Sequence, residues 1–242
     1  KEGDLMLSFS RHILDSFEQM EESMNQAVEK RMLTIGCSVS VGTCLIDGIL
    51  DEAKQRIPKC QISVIVANSS EIEQEVLTNG VDLGIVEGII RNRDLIVTPV
   101  CEDELVLVCG KEHPLAKEKL VTMEMLQGQD YVSRESGSAE RNQFEQLFEE
   151  YGLQLNRTFC STNTEAIKNA VIRGRGIAIF SKRMIKDEVS DGRMVIVPVK
   201  DVSVKRNIDL VLHKNKYVSN EIRIMQEILT KEEAQYAVDN LE

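Results

Sequence analysis

Between residues 33 and 86, three short runs rich in Ile and Val alternate with two amphipathic helical stretches, and that order leaves few folds open. Leu33-Thr34-Ile35-Gly36-Cys37-Ser38 reads as a first strand, followed by a Ser/Gly-rich turn through Thr43. Leu45, Ile46, Ile49, Leu50, Ala53 and Ile57 then share one helical face until Pro58 stops the helix. Residues 61–67 form a second strand, and Ser70-x-x-Glu73 reads as a capping box opening a helix with Ile72, Val76 and Leu77 inward. Asn79-Gly80 closes that helix before a third strand at 81–86. A βαβαβ order implies a parallel sheet with right-handed crossovers, because parallel neighbours need a connection long enough to hold a helix.

A second set of the same kind follows. Residues 95–100 and 105–109 read as two strands, and Lys111-Glu112-His113-Pro114 breaks the pattern as a crossing point. Tyr131-Val132-Ser133 is a short strand, and Ser136-Gly137-Ser138 leads into a helix with Phe144, Leu147, Phe148 and Tyr151 inward. Residues 155–161 form a strand, Thr162-x-x-Glu165 a second capping box, and Ile167, Ala170 and Val171 the apolar face behind it. Arg173-Gly174-Arg175-Gly176 turns the chain into a strand at 177–180, with Gly174 as the positive-φ helix stop. Strands at 194–199 and 208–212 flank a polar break at 200–205, a second crossing. A last helix begins near Asn220, and residues 231–242 form a polar tail. The fold class is α/β: two similar lobes joined by two crossover segments.

A long helix precedes the first strand. Met6, Phe9, Ile13, Phe17, Met20, Met24 and Ala27 recur at steps of three and four, while Arg11, Asp15, Glu18, Glu21, Glu22 and Asn25 make a solvated face. Placed outside the α/β pattern, such a stripe favours pairing with a partner over folding back on its own domain.

Charge and cysteines exclude several functions. A formal net charge of −11 gives no phosphate-gripping surface, so DNA contact would need another segment. No apolar run approaches the roughly 18 residues of a membrane span, and Lys1-Glu2-Gly3-Asp4 opens as if cut from a longer chain, without the features of a signal peptide. The six cysteines, Cys37, Cys44, Cys60, Cys101, Cys109 and Cys160, show no C-x-x-C pair and no zinc spacing, which suits buried reduced thiols in a cytoplasmic protein. The proximity of Cys101 and Cys109 leaves a redox switch as the other reading.

Hydroxyl residues follow strands at four places: Ser38 and Ser40; Ser69 and Ser70; Ser133, Ser136 and Ser138; Thr162 and Thr164. Helix N-termini there offer unpaired N–H groups and partial positive charge, which suits a small carboxylate, sulfate or phosphate. Ordinary capping explains any one of them; four at the carboxyl edges of strands point to ligand contact. No cofactor or metal is implied. His12, His113 and His213 lie on the long helix, at a break and at a strand end, with no evident triad; His113 beside Pro114 reads as a turn residue. The Gly174/Gly176 turn follows a helix, so it is no dinucleotide fingerprint.

The long helix through Ile13-Leu14-Asp15, then Leu33-Thr34-Ile35-Gly36, Val81-Asp82-Leu83-Gly84-Ile85, Leu105-Val106-Leu107-Val108 with His113-Pro114-Leu115-Ala116, and Ala170-Val171-x-x-Gly174-x-Gly176-Ile177-Ala178-Ile179, occur in an order that resembles the linker helix and effector-binding domain of LysR-type transcriptional regulators. The resemblance covers about residues 5–230 and implies two Rossmann-like lobes of periplasmic-binding-protein type, with a linker and dimerisation helix at 1–31, lobe I at 32–111 with 205–230, and lobe II at 112–204. It also implies an N-terminal winged helix-turn-helix that reads DNA, a homodimer or homotetramer, and a small effector in the cleft between lobes. Ser40, Ser69, Thr162 and the 133–138 stretch match the effector-contacting positions. Arg134-Glu135-Ser136-Gly137-Ser138 has no cysteine where peroxide-sensing members carry one, so peroxide sensing is not implied. Two rivals share the plan: a periplasmic-type solute-binding protein, and a lyase or dehydratase with Glu87 and Glu135 as the only candidate acid and base.

Overall fold

The computed structural model describes residues 2–24 and 32–239, so Ala27 of the predicted stripe and the rest of 25–31 lie outside the described residues. In chain order the elements are α1 (Glu2–Met24), β1 (Met32–Ser38), α2 (Val39–Cys44), α3 (Ile46–Arg56), β2 (Gln61–Ala67), α4 (Ser69–Leu77), β3 (Leu83–Glu87) and β4 (Leu95–Gly110). There follow β5 (Asp130–Arg134), α5 (Ala139–Glu150), β6 (Asn156–Ser161), α6 (Thr164–Ile172), β7 (Ala178–Ser181), α7 (Lys186–Ser190), β8 (Met194–Ile196), β9 (Val204–His213) and α8 (Asn220–Asp239). The chain divides into two compact units, residues 1–102 with 207–242 and residues 103–206.

In the first unit β1 pairs in parallel with both β2 and β3, as the βαβαβ pattern requires, and β9 runs antiparallel to β3 with β4 as its other neighbour. Leu33, Ile35 and Cys37 point alternate side chains into a core shared with Ile46, Ile49 and Ala53 of α3 and with Ile222, Met225 and Ile228 of α8. Ile72 and Val76 of α4 cover the other face with Val81, Val86 and Val211. Helices on both faces explain why these strands read as continuous apolar runs.

The second unit repeats the scheme on β4 and β7, which pair antiparallel from Leu105–Ser181 to Val108–Ala178, with β8 on β4. β5 and β6 pair in parallel, and a single bridge from Tyr131 to Ile177 joins them to the entry of β7. Phe144 and Phe148 of α5 pack on Tyr131, Leu105 and Leu107; Ile167 and Val171 of α6 pack on Val108 and Phe180.

Four expectations are corrected. Residues 95–100 and 105–109 belong to one strand, β4, because the intervening Cys101 and Asp103 are buried rather than turned out to water. The Ser/Gly-rich turn after β1 is the short helix α2, separated from α3 at Leu45. The polar tail is helical as far as Asp239, leaving 240–242 outside the described residues. Long helix α1 forms with its apolar stripe outward, but Asp15 of the expected solvated face turns inward. Met6, Phe9, Ile13, Phe17 and Met20 are exposed, while Ser8, His12 and Asp15 meet the first unit through Leu77, Asn79 and Lys216. The buried Lys216 holds Asp15 at 2.9 Å.

Asp103 buries its carboxylate because Arg206 meets it at 2.8 Å, both side chains 1% exposed. Asp103 and Arg206 are also the first and last residues of the second unit. Ser181 Oγ donates to Asp103 at 2.7 Å, and Glu140 accepts from Ser181 N at 3.2 Å while lying 3.6 Å from Arg206. One buried cluster thus ties β4, β7, β9 and the first turn of α5.

Removing one partner of such a pair strands the other charge. Arg206→Met should lower the unfolding free energy by about 3–5 kcal/mol in urea titrations, whereas Lys182→Ala, which breaks an exposed pair with Glu104, should change it by less than about 0.5 kcal/mol. A second contrast tests the α6 exit. Gly174 (φ +73°) donates to Val171 O and Arg175 to Ala170 O, so α6 ends in the positive-φ stop read from the sequence. A Cβ on Gly174 would meet nothing within 4 Å, but one on Gly176 (φ +143°) would lie 2.2 Å from Asp130 O. Gly174→Ala should therefore cost about 1–2 kcal/mol, and Gly176→Ala about 3 kcal/mol or more, by the same titration.

Candidate functional site

Parallel pairing fixes where the hydroxyl residues stand. Ser38 is in register with Ala67, so the carboxyl ends of β1 and β2 finish side by side and deliver Ser38 and Asn68 to one edge of the first unit. β3 ends at the same edge with the buried Glu87. Ser38 sits at the N-cap of α2 in extended conformation, is 2% exposed, and makes no cap bond; among the described residues its Oγ has no hydrogen-bond partner. Ser40, in the first turn of α2, is buried and already engaged.

The capping boxes are shifted from their predicted places. α4 is capped by Asn68, whose Oδ1 accepts from Glu71 N at 3.0 Å, so half-buried Ser69 and exposed Ser70 lie in the first turn instead of at the cap. In the second unit Asn163 caps α6, accepting from Ala166 N at 3.1 Å. That leaves Thr162 exposed before the helix and Thr164 as its first residue. Asparagine is as strong a cap as serine, and the sequence reading passed over it in favour of the adjacent hydroxyls. Thr164 Oγ1 is buried and, like Ser38 Oγ, has no hydrogen-bond partner among the described residues.

The register of β5 on β6 places Arg134 opposite Ser161, which brings the 134–138 segment beside 161–164. Ser133 is buried with its hydroxyl on Phe159 O at 3.4 Å; Ser136 is exposed; Ser138 is buried at the N-cap of α5 without a side-chain cap bond. Arg134, which sequence reasoning missed, is 5% exposed, grips Glu135 through two bonds of 2.9 Å, and lies 3.8 Å from Glu140. The segment is thereby anchored to the Asp103–Arg206 cluster. A hollow of about 510 Å³ beside Tyr131, Glu145, Phe148 and Arg157 is bordered by none of these hydroxyls.

The chemistry available is recognition. Glu135 is held by Arg134, and Glu87 is also engaged, so neither stands as a free acid or base. Burial, with Glu87 nearby, pushes the Cys37 thiol up to about 12, and burial pushes Cys109 up to about 11, so both stay protonated near neutral pH. All six cysteines are free; Cys160 is exposed and Cys44 and Cys60 half-buried, so the expectation of uniformly buried thiols holds for Cys37, Cys101 and Cys109 only. Cys101 and Cys109 share the extended strand β4, and at about 3.3 Å per residue they stand well beyond disulfide reach. His113 caps a short 3-10 turn, accepting from Leu115 N, as a turn residue should. Among the described residues no group of acidic, His or Cys side chains is arranged to hold a metal, and no helix is long and apolar enough to cross a membrane.

Comparison with known proteins agrees with this reading. Residues 26–234 match the family model of the LysR substrate binding domain. The HTH-type transcriptional activator CmpR of Synechocystis is 28% identical over 219 residues, 90% of this chain and 72% of that protein. Among solved structures, the regulatory domain of Synechocystis CcmR in complex with 2-PG superposes with a TM-score of 0.78 at 24% identity, covering 84% of this chain and 97% of that one. The effector binding domain of QuiR in complex with shikimate gives 0.76 at 18% identity, covering 86% and 99%. The relatives are transcriptional regulators and not enzymes, and this chain, with its paired α/β units and its hydroxyl-lined strand ends, belongs to the LysR family as a ligand-sensing substrate-binding domain.

Proposed function

We propose that the hydroxyls at the carboxyl strand edge of each unit bind a small anionic effector, and that its binding resets a homo-oligomeric, cytoplasmic transcription factor whose DNA contacts lie outside this segment. The observation that carries this reading is the pair of buried hydroxyls without partners, Ser38 Oγ in the first unit and Thr164 Oγ1 in the second. A buried polar atom left unpaired costs about 1–3 kcal/mol, and such atoms persist where a ligand supplies the bond. Both stand at helix starts whose first N–H groups lack intrahelical partners, which favours a negative ligand group. The structural neighbours solved with 2-PG and with shikimate support a small polar effector. An effector acts by preferring one arrangement of the protein over another, so lobe rotation and oligomer rearrangement follow from its differential affinity.

The outward stripe of α1 supports the oligomer. Met6, Phe9, Ile13 and Phe17 are all more than half exposed, an apolar surface that a second α1 would cover.

A thermal-shift screen against small carboxylates, phosphates and sulfur oxyanions tests the ligand class. A hit at 100 times its Kd should add about 2.7 kcal/mol. Ser38→Ala and Thr164→Val should leave the empty protein as stable or up to about 1 kcal/mol more stable while weakening the hit; loss of stability with an unchanged hit would make the hydroxyls structural. For the oligomer, Ile13→Glu with Phe17→Glu should reduce the mass measured by light scattering without moving the melting of the α/β units.

A further inference from the structure

The contact between α1 and the first unit has an unusual centre. His12 of α1 and His213 at the end of β9 stack with ring centroids 3.8 Å apart, tilted by 31°. The two rings have different hydrogen-bond duties. His12 Nε2 donates to Leu77 O at 3.3 Å, and Ser8 Oγ donates to the same carbonyl at 3.1 Å. Leu77 is the last residue of α4, so its carbonyl has no intrahelical donor, and the negative end of the helix dipole lies there. A proton on His12 leaves that bond intact and strengthens it. His213 Nδ1, by contrast, accepts from Asn215 N at 3.1 Å. An imidazole nitrogen that accepts an N–H carries no proton, so the observed geometry requires neutral His213.

We propose that the His12–His213 stack is a proton-operated clasp: neutral His213 holds α1 on the first unit, and mild acid releases it by charging His213. Protonating His213 exchanges the Asn215 bond for two opposed N–H groups, in a ring that stacks on His12 and lies beside Lys214 and Lys216. The carboxylates Asp15, Asp82 and Asp94 of the neighbouring elements are tied to other cations. On α1, Arg11 and Asp15 flank His12; α4 and the turn after it bring Glu75 and Asp82; Asp94 precedes β4; Lys214 and Lys216 follow β9. Lys216 already holds Asp15 at 2.9 Å and Asp82 at 2.8 Å, and Lys214 holds Asp94. Burial, and then the His12 charge, depress the His213 value below the ordinary histidine range. Released His213 therefore binds protons more readily than docked His213. Docking is fully favoured above the ordinary value near 6.5 and is lost as pH falls from there through the depressed value.

This inference stands apart from the effector reading, since none of the strand-edge hydroxyls takes part. Hydrogen exchange of the α1 amides in the whole chain tests it, at about pH 7.5 and about pH 5.5 and corrected for the intrinsic pH dependence of exchange. The unaltered chain should lose α1 protection at the lower pH, by up to about tenfold per pH unit for each proton taken up, while β1 and β3 keep theirs. His213→Asn places an amide oxygen where Nδ1 accepts and cannot be charged, so it should hold α1 protected at both values. Equal α1 protection at both values in the unaltered chain, or the same acid loss in His213→Asn, would overturn the clasp. Should that variant not fold, NMR titration of the His213 ring in the unaltered chain decides: a midpoint below the ordinary histidine range supports the clasp, and an ordinary one refutes it.

Discussion

The Asp103–Arg206 pair is the interaction on which the second unit depends. It joins the first and last residues of that unit in one buried contact, and Ser181 and Glu140 extend it to β7 and α5. A buried ion pair is a weak source of net stability compared with well-packed hydrocarbon, but it is unforgiving of rearrangement, because any motion that separates the partners leaves a bare charge in the core. Specificity is thus what the pair contributes: it fixes the ends of the unit to each other and, through Arg134 and Glu140, fixes the segment that presents Ser136 and Ser138. Geometry of that segment is inherited from a cluster most of which lies outside it.

Much of the first unit was legible in the sequence because its signals are local. The β1–α3–β2–α4–β3 succession rests on runs of Ile and Val, a proline stop and an Asn-Gly exit, all readable without knowing what packs on what. Continuity of β4 was not legible, because Cys101-Glu102-Asp103-Glu104 is as polar as a turn unless Arg206, about a hundred residues later, is known to meet Asp103. The same blindness hid Ser181, whose role is defined by Asp103 and Glu140, both distant in sequence.

Of the candidate residues, their place at strand ends was readable and their local duties were not. Ser and Thr do follow the strands as the sequence suggests, yet Asn68 and Asn163 take the caps in place of Ser70 and Thr162. That displacement matters chemically. Where asparagine satisfies the helix start, the neighbouring hydroxyl is released from capping, and Thr164 Oγ1 is left without a partner among the described residues. Ser133, by contrast, was counted among the candidates and spends its hydroxyl on Phe159 O.

The outward apolar stripe of α1 has a consequence for how the helix responds to its solvent. Its inward face is held by Asp15 on Lys216, by hydroxyl and imidazole bonds to Leu77, and by Asn79, all interactions between charges and dipoles. Its outward face is a stripe of Met, Phe and Ile that water disfavours. Dissolved salt screens the first kind of interaction, and salts excluded from protein surfaces strengthen the second. Ionic strength therefore pulls on the two sides of a single helix in opposite senses, loosening its hold on its own subunit as it sharpens the stripe's need for cover.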